Sequence, residues 1–111
     1  MAGKLLVWVG RTLEFLRRLP ASARRDAGHQ LHLVQLGVEP SDWKPMTSVG
    51  PGVIEIRVHA EGEYRVLYVA KFSEAVYVLH AFEKRTRQTR QGDVELARRN
   101  FAEVLRRRRG R

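Results

Sequence analysis

Val53-Ile-Glu-Ile-Arg-Val-His59, Glu63-Tyr-Arg-Val-Leu-Tyr-Val-Ala-Lys71 and Ala75-Val-Tyr-Val-Leu-His-Ala-Phe82 are three consecutive runs rich in β-branched and aromatic residues. Such side chains fill a pleated, half-buried surface, so each run predicts a strand. The separators, Ala60-Glu61-Gly62 and Phe72-Ser73-Glu74, are short enough for hairpin turns. Three strands joined in this way form an antiparallel meander.

Lys4 to Val9, apolar and bounded by Gly10, predicts a further short strand. Leu13, Phe15, Leu16 and Leu19 recur at helical spacing after Thr12, a candidate N-cap, until Pro20. Ser22 is placed to cap a second helix carrying Ala23, Ala27, Leu31 and Val34, stopped by Gly37. Val38 to Gly52 holds Pro40, Pro45, Gly50, Pro51 and Gly52 and predicts a loop. Beyond the polar stretch Glu83 to Gly92, Asp93 is the expected cap of a last helix with the stripe Val94, Ala97, Phe101, Val104 and Leu105. The expected order is β-α-α-β-β-β-α. It is an α+β fold in which an antiparallel sheet of about four strands packs against an N-terminal helical hairpin.

The 111 residues suit one domain, and no linker or repeat divides them. Absence of cysteine excludes disulfides, thiolate metal sites and cysteine nucleophiles, and fits a cytoplasmic protein. The apolar run Leu5 to Val9 is too short for a signal peptide, and no run approaches the roughly 20 residues of a membrane span. The net charge of +9 is concentrated at one end: residues 84–111 contain eleven basic side chains against three acidic ones. A field so localised attracts polyanions, of which nucleic acid is the commonest inside cells. For Arg106 to Arg109 a merely solvated tail is the competing reading.

Alternation along the first run of the meander sets Ile54, Ile56 and Val58 on a core face and Glu55 and Arg57 on a polar one. Arg65, in mid-strand, is either a cross-strand ion-pair partner of Glu55 or Glu63, or a guanidinium fixed to hold phosphate. Lys84, Arg85 and Arg87 follow the last strand, where they either form a solvated turn or converge with Arg57 and Arg65 into a basic pocket. His80 alternates with Val78 and Phe82, which leaves a buried, hydrogen-bonded histidine or a catalytic base. His59, near a turn, is expected to be exposed. His29 and His32 lack the spacing of a metal pair, and no metal site is expected. No phosphate-binding glycine loop, nucleophile elbow or paired-carboxylate pattern is present in the sequence.

Gly52-Val-Ile-Glu-Ile-Arg57, Tyr64-Arg-Val-Leu-Tyr68 and Val78-Leu-His-Ala-Phe-Glu-Lys-Arg-Thr86 together resemble the phage-derived, HigB-like branch of the RelE/ParE toxin superfamily. The breaks at Leu19-Pro20, Leu36-Gly37 and Lys44-Pro45 fit the same pattern, so the likeness spans about residues 4 to 105. It implies the toxin of a type II toxin–antitoxin pair. In RelE-like members that toxin cuts mRNA in the ribosomal A site by 2′-hydroxyl attack on the adjacent phosphate, with neither metal nor cofactor. Arg57, Arg65, Lys84 and Arg85 match the family's basic positions and are the implied catalytic set, with His80 an added acid–base candidate. Arg87, Arg90, Arg98, Arg99, Arg106 and Arg107 are the expected RNA-binding residues.

The implied partners are the ribosome with its mRNA and an antitoxin, often a helix-turn-helix protein, whose acidic patches would cover the basic face. Two departures stand out: Glu55 occupies a strand where ribonuclease members carry lysines, and no tyrosine or histidine follows His80. Two other functions share these features, gyrase inhibition of the ParE kind and accessory nucleic-acid binding through the arginine tail.

Overall fold

The computed structural model describes residues 3–110. In chain order the elements are β1 (Leu5–Trp8), α1 (Thr12–Arg17), α2 (Ala21–Gln35), β2 (Trp43–Pro45), β3 (Val53–His59), β4 (Glu63–Val69), β5 (Ala75–Glu83) and α3 (Gln91–Arg109). The α+β class is as expected, and β3, β4 and β5 form the antiparallel meander. The sheet itself has five strands in the order β1-β5-β4-β3-β2. The extra strand, β2, lies inside the stretch read as loop: Pro45 ends it and its three residues pair with Ile54 to Ile56. Nor is the sheet wholly antiparallel. β1 runs parallel to β5, because the α1–α2 hairpin and the meander return the chain to its starting edge.

Helix starts also differ from expectation. Arg11, Pro20 and Arg90 occupy the N-cap positions, and none makes a side-chain cap bond. The expected caps are engaged elsewhere. Thr12 Oγ1 donates to the Val9 carbonyl at 2.6 Å, Ser22 Oγ lies 3.4 Å from Glu61, and Asp93 accepts from His80. The end of α2 is as read: Gly37 takes φ +82°, and the Gly37 and Val38 amides donate to the Val34 and Leu33 carbonyls.

Two cores result, one on each face of the sheet. Leu16, Leu19, Ala23, Ala27 and Leu31 of the hairpin pack on Ile56, Val58, Val66, Val76 and Val78. Val94, Ala97, Phe101 and Val104 of α3 pack on Val53, Leu67, Val69, Tyr77 and Leu79. The alternation in β5 breaks once. Leu67 pairs with His80 but Tyr68 with Val78, so one residue is inserted and the faces exchange. Tyr77 and Leu79 face α3 before the bulge, and Phe82 faces it afterwards. The Leu79 carbonyl at this step accepts from the buried Asn100 of α3 at 2.8 Å. His80 and Phe82 therefore do not share a face with Val78, contrary to simple alternation.

α3 lies closely over the turn before β3. A Cβ at the buried Gly50 would strike the Phe101 ring. Gly50→Ala is expected to destabilise the protein by about 1–3 kcal/mol, the usual penalty of an overpacked core. A chemical denaturation midpoint equal to wild type would contradict this.

Candidate functional site

On the α3 side of the sheet, neighbouring strands bring polar side chains into rungs. Lys44 of β2 stands opposite Glu55 of β3, and Arg57 stands opposite Arg65 of β4. His59 pairs with Glu63, whose carbonyl accepts from the Lys84 amide at 2.7 Å. The bulge in β5 sets Lys84 on this face, since alternation resumes from Phe82.

Glu55 is the centre of the arrangement. It is 0 % exposed, and its Oε1 lies 3.7 Å from Arg57 Nε, 3.7 Å from Arg65 Nε and 3.8 Å from Lys44 Nζ. Neither carboxylate oxygen has a hydrogen bond, nor do Arg57 Nε and Arg65 Nε. At an effective dielectric near 20 a pair at this distance attracts by at most about 4 kcal/mol, and by less for the solvent-facing Lys44 and Arg57. Three such pairs offset the several kcal/mol that burying a carboxylate costs. The polar face expected of β3 is thus buried at Glu55 and opens to solvent only toward its cations.

Arg65 takes the ion-pair reading, with both Glu55 and Glu63 as partners. Its Nη1 donates to Glu63 Oε1 at 3.1 Å and to the Tyr64 carbonyl at 2.9 Å, and its side chain is only 8 % exposed. The guanidinium is consequently fixed, while Arg57 and Lys44 keep solvent-facing ends. Lys84 is half-buried. Burial pushes its ammonium below the usual lysine range, opposed by Glu55 and reinforced by Arg65, Lys44 and Arg57. Four cations around one buried carboxylate leave a net positive pocket that can seat an anion with several donors.

Arg57, Arg65 and Lys84 therefore come together, the convergent one of the two arrangements the sequence left open. Arg87 joins them: it lines a hollow with Lys44, Met46, Ser48, Lys84 and Val94. Arg98 reaches the rim, its Nε donating to the Ser48 carbonyl at 2.7 Å. Arg85 does not join. It pairs with Glu83 at 2.8 Å and borders a second groove with Phe15, Arg18, His80, Arg90 and Asp93.

His80 belongs to that groove as well. It is 2 % exposed, its Nε2–H donates to Asp93 Oδ1 at 2.8 Å, and its ring stacks on Phe82 and meets Phe15 edge-on. This is the buried, hydrogen-bonded alternative. Burial holds the imidazole below its ordinary pKa of 6.5 despite the carboxylate. A folded state that resists protonation loses stability as pH falls below about 6.5, where the unfolded chain takes up the proton first. Unfolding free energy measured between pH 7.5 and 5 is expected to decline more steeply in wild type than in His80→Gln.

Arg99 is exposed on α3. Arg106 and Arg107 are bound to Glu103 at 2.5 and 2.9 Å, on a helix whose rise sets them roughly 22 Å from its start. Arg108 pairs with Glu74 and lies 3.8 Å above the Phe72 ring, pinning the helix end to the β4–β5 turn. The arginine run through Arg109 is thus helix rather than loose tail. Lys44 and Asp42 were hidden within the expected loop; the Lys44-Pro45 pair was their only trace.

Among the described residues no cluster of metal-ligating side chains occurs, and no helix is long and apolar enough to cross a membrane. Fold and site together define a small α+β protein with helices on both faces of a mixed sheet and a clustered cationic pocket on one of them. Residues 14–102 match the family described as phage derived protein Gp49-like (DUF891), and the chain belongs to that family, which is associated with the toxins of toxin–antitoxin pairs. No curated protein matches the sequence.

Proposed function

We propose that this protein is the toxin of a type II toxin–antitoxin pair and that it cleaves ribosome-bound mRNA. The observation that carries the reading is the convergence of Lys44, Arg57, Arg65 and Lys84 around Glu55. Donors fixed before the substrate arrives are what a phosphoryl transition state requires, because its added negative charge is met without reorganisation. The ribose 2′-oxygen attacks the adjacent phosphorus, the bond to the 5′-oxygen breaks, and a 2′,3′-cyclic phosphate and a 5′-hydroxyl remain. Arg57 and Arg65 orient the phosphate oxygens. Lys84, with its lowered pKa, is placed to accept the 2′-proton in its neutral form. Arg87, Arg98 and Arg99 extend the contact along the strand, and Arg106 and Arg107 meet phosphates further away. The partner that restrains the toxin is an antitoxin presenting acidic side chains to this face.

Induced expression followed by primer extension on cellular mRNA tests the reading. New 5′ ends are expected with wild type and are lost with Lys84→Ala. Growth arrest without new ends, accompanied by inhibited DNA supercoiling, would instead establish a gyrase-directed toxin.

A further inference from the structure

His59 extends the cationic site by one rung. It is two residues beyond Arg57 on the same strand face, about 7 Å along β3. Its Nδ1–H donates to Glu63 Oε2 at 2.7 Å and its Nε2–H to Asp42 Oδ2 at 2.8 Å. Carboxylates only accept, so a ring that makes both bonds carries both protons. The ring is 53 % exposed, which leaves its edges open to a ligand. Glu63 is shared, since its other oxygen binds Arg65. A phosphate that occupies Arg65 competes with Glu63 for that guanidinium, and one of its oxygens can likewise take the place of Glu63 at Nδ1, while Asp42 retains the opposite nitrogen.

We propose that His59 is the general acid of this site, protonating the 5′-oxygen as it leaves, with Asp42 as the residue that positions it. The inference rests on the RNA-cleaving reading above and supplies the proton that reading requires. As the bond from phosphorus to the 5′-oxygen breaks, the Nδ1 proton passes to that oxygen. The 2′-proton goes to Lys84 or to water, and the imidazole regains a proton from solvent before the next turnover. Asp42 at Nε2 acts as the carboxylate behind the histidine does in other acid–base pairs, holding the ring's orientation and stabilising its charged form.

The groups facing His59 are Asp42 before β2, Glu63 on β4, Arg57 on its own strand and, beyond Glu63, Arg65; Lys84 meets Glu63 through the backbone. The two carboxylates hold the imidazolium above its ordinary 6.5, chiefly through the Asp42 bond. The shift favours the protonated ring, the form an acid must take.

The test uses ribosomes programmed with two mRNAs, one ordinary and one with sulfur in place of the 5′-bridging oxygen at the cleaved linkage. A thiolate leaves without a proton. His59→Gln is expected to slow cleavage of the ordinary mRNA about 10²-fold or more and to cleave the sulfur-bridged mRNA at close to the wild-type rate. With ordinary mRNA, the wild-type rate rises with pH and levels off above the His59 pKa, because loss of the acid cancels the gain in base; the His59→Gln rate keeps rising. Asp42→Asn gives an intermediate loss, with the bend moved to lower pH. Equal losses of His59→Gln on both substrates, or an unchanged pH profile, would overturn the assignment. Absence of cleavage of either mRNA by wild type would overturn the RNA-cleaving reading itself.

Discussion

Exchanging Arg65 for alanine is expected to lower the rate of mRNA cleavage by about 10²- to 10³-fold, the loss typical when one fixed donor to a developing charge is removed. Arg65 is the most constrained cation of the site: it stands opposite Arg57, reaches Glu55, and is tied to Glu63 and to the Tyr64 carbonyl. A guanidinium held in this way presents its remaining N–H groups in a fixed fork. Arg65→Lys keeps the charge but not the fork, so it should recover only part of the rate. Single-turnover cleavage on programmed ribosomes measures both. A rate for Arg65→Ala within threefold of wild type would show that its role is confined to pairing with the buried carboxylate.

Glu55→Ala is expected to destabilise the fold by about 3 kcal/mol, toward the lower end of what breaking a buried ion pair costs. Lys44 and Arg57 keep access to water and rehydrate when the carboxylate is removed, whereas Arg65 cannot. The loss is therefore dominated by Arg65, whose buried Nε loses its only facing carboxylate while Nη1 keeps Glu63 and the Tyr64 carbonyl. Adding Arg65→Leu should restore most of it, a coupling that a double-mutant cycle in denaturant reads directly. The same Glu55→Ala protein should bind single-stranded RNA more tightly, because four cations then lack their shared counterion. Unchanged stability together with unchanged RNA affinity would remove Glu55 from the centre of the site.

Much of this is legible in the sequence. The meander followed from β-branched runs of the right length with short separators, three residues before β4 and five before β5, and the end of α2 from Gly37. Arg57 and Arg65 are legible as residues of neighbouring strands, but that they stand opposite each other follows from the β3–β4 register, which the sequence leaves open. β2 was hidden because three residues ending in proline carry too little pattern to outweigh the breakers around them, and with it went Lys44. Helix caps were misread because each expected cap had a tertiary partner that competed for its side chain. Glu55 looked like a departure from pattern, although a buried carboxylate among three cations is what ties their strands together. His59 looked merely exposed, since Asp42 is 17 residues away and only the pairing of β2 with β3 brings it near.

The bulge between Leu79 and His80 has a genetic meaning as well as a geometric one. Side chains of a strand change face with each residue, and the extra residue at that step is absorbed by the bulge, so the segment after it keeps its β4 partners and its face. Lys84 and Arg85, adjacent in sequence, already point to different hollows. A lineage that lost the Leu79 codon would return to plain alternation with the β4 pairing intact, and Lys84 would keep its face toward Glu55, Arg57 and Arg65. The bulge is thus a step of the strand at which a codon can be gained or lost without trading the Lys84 amine, which is able to release its proton, for the Arg85 guanidinium, which is not.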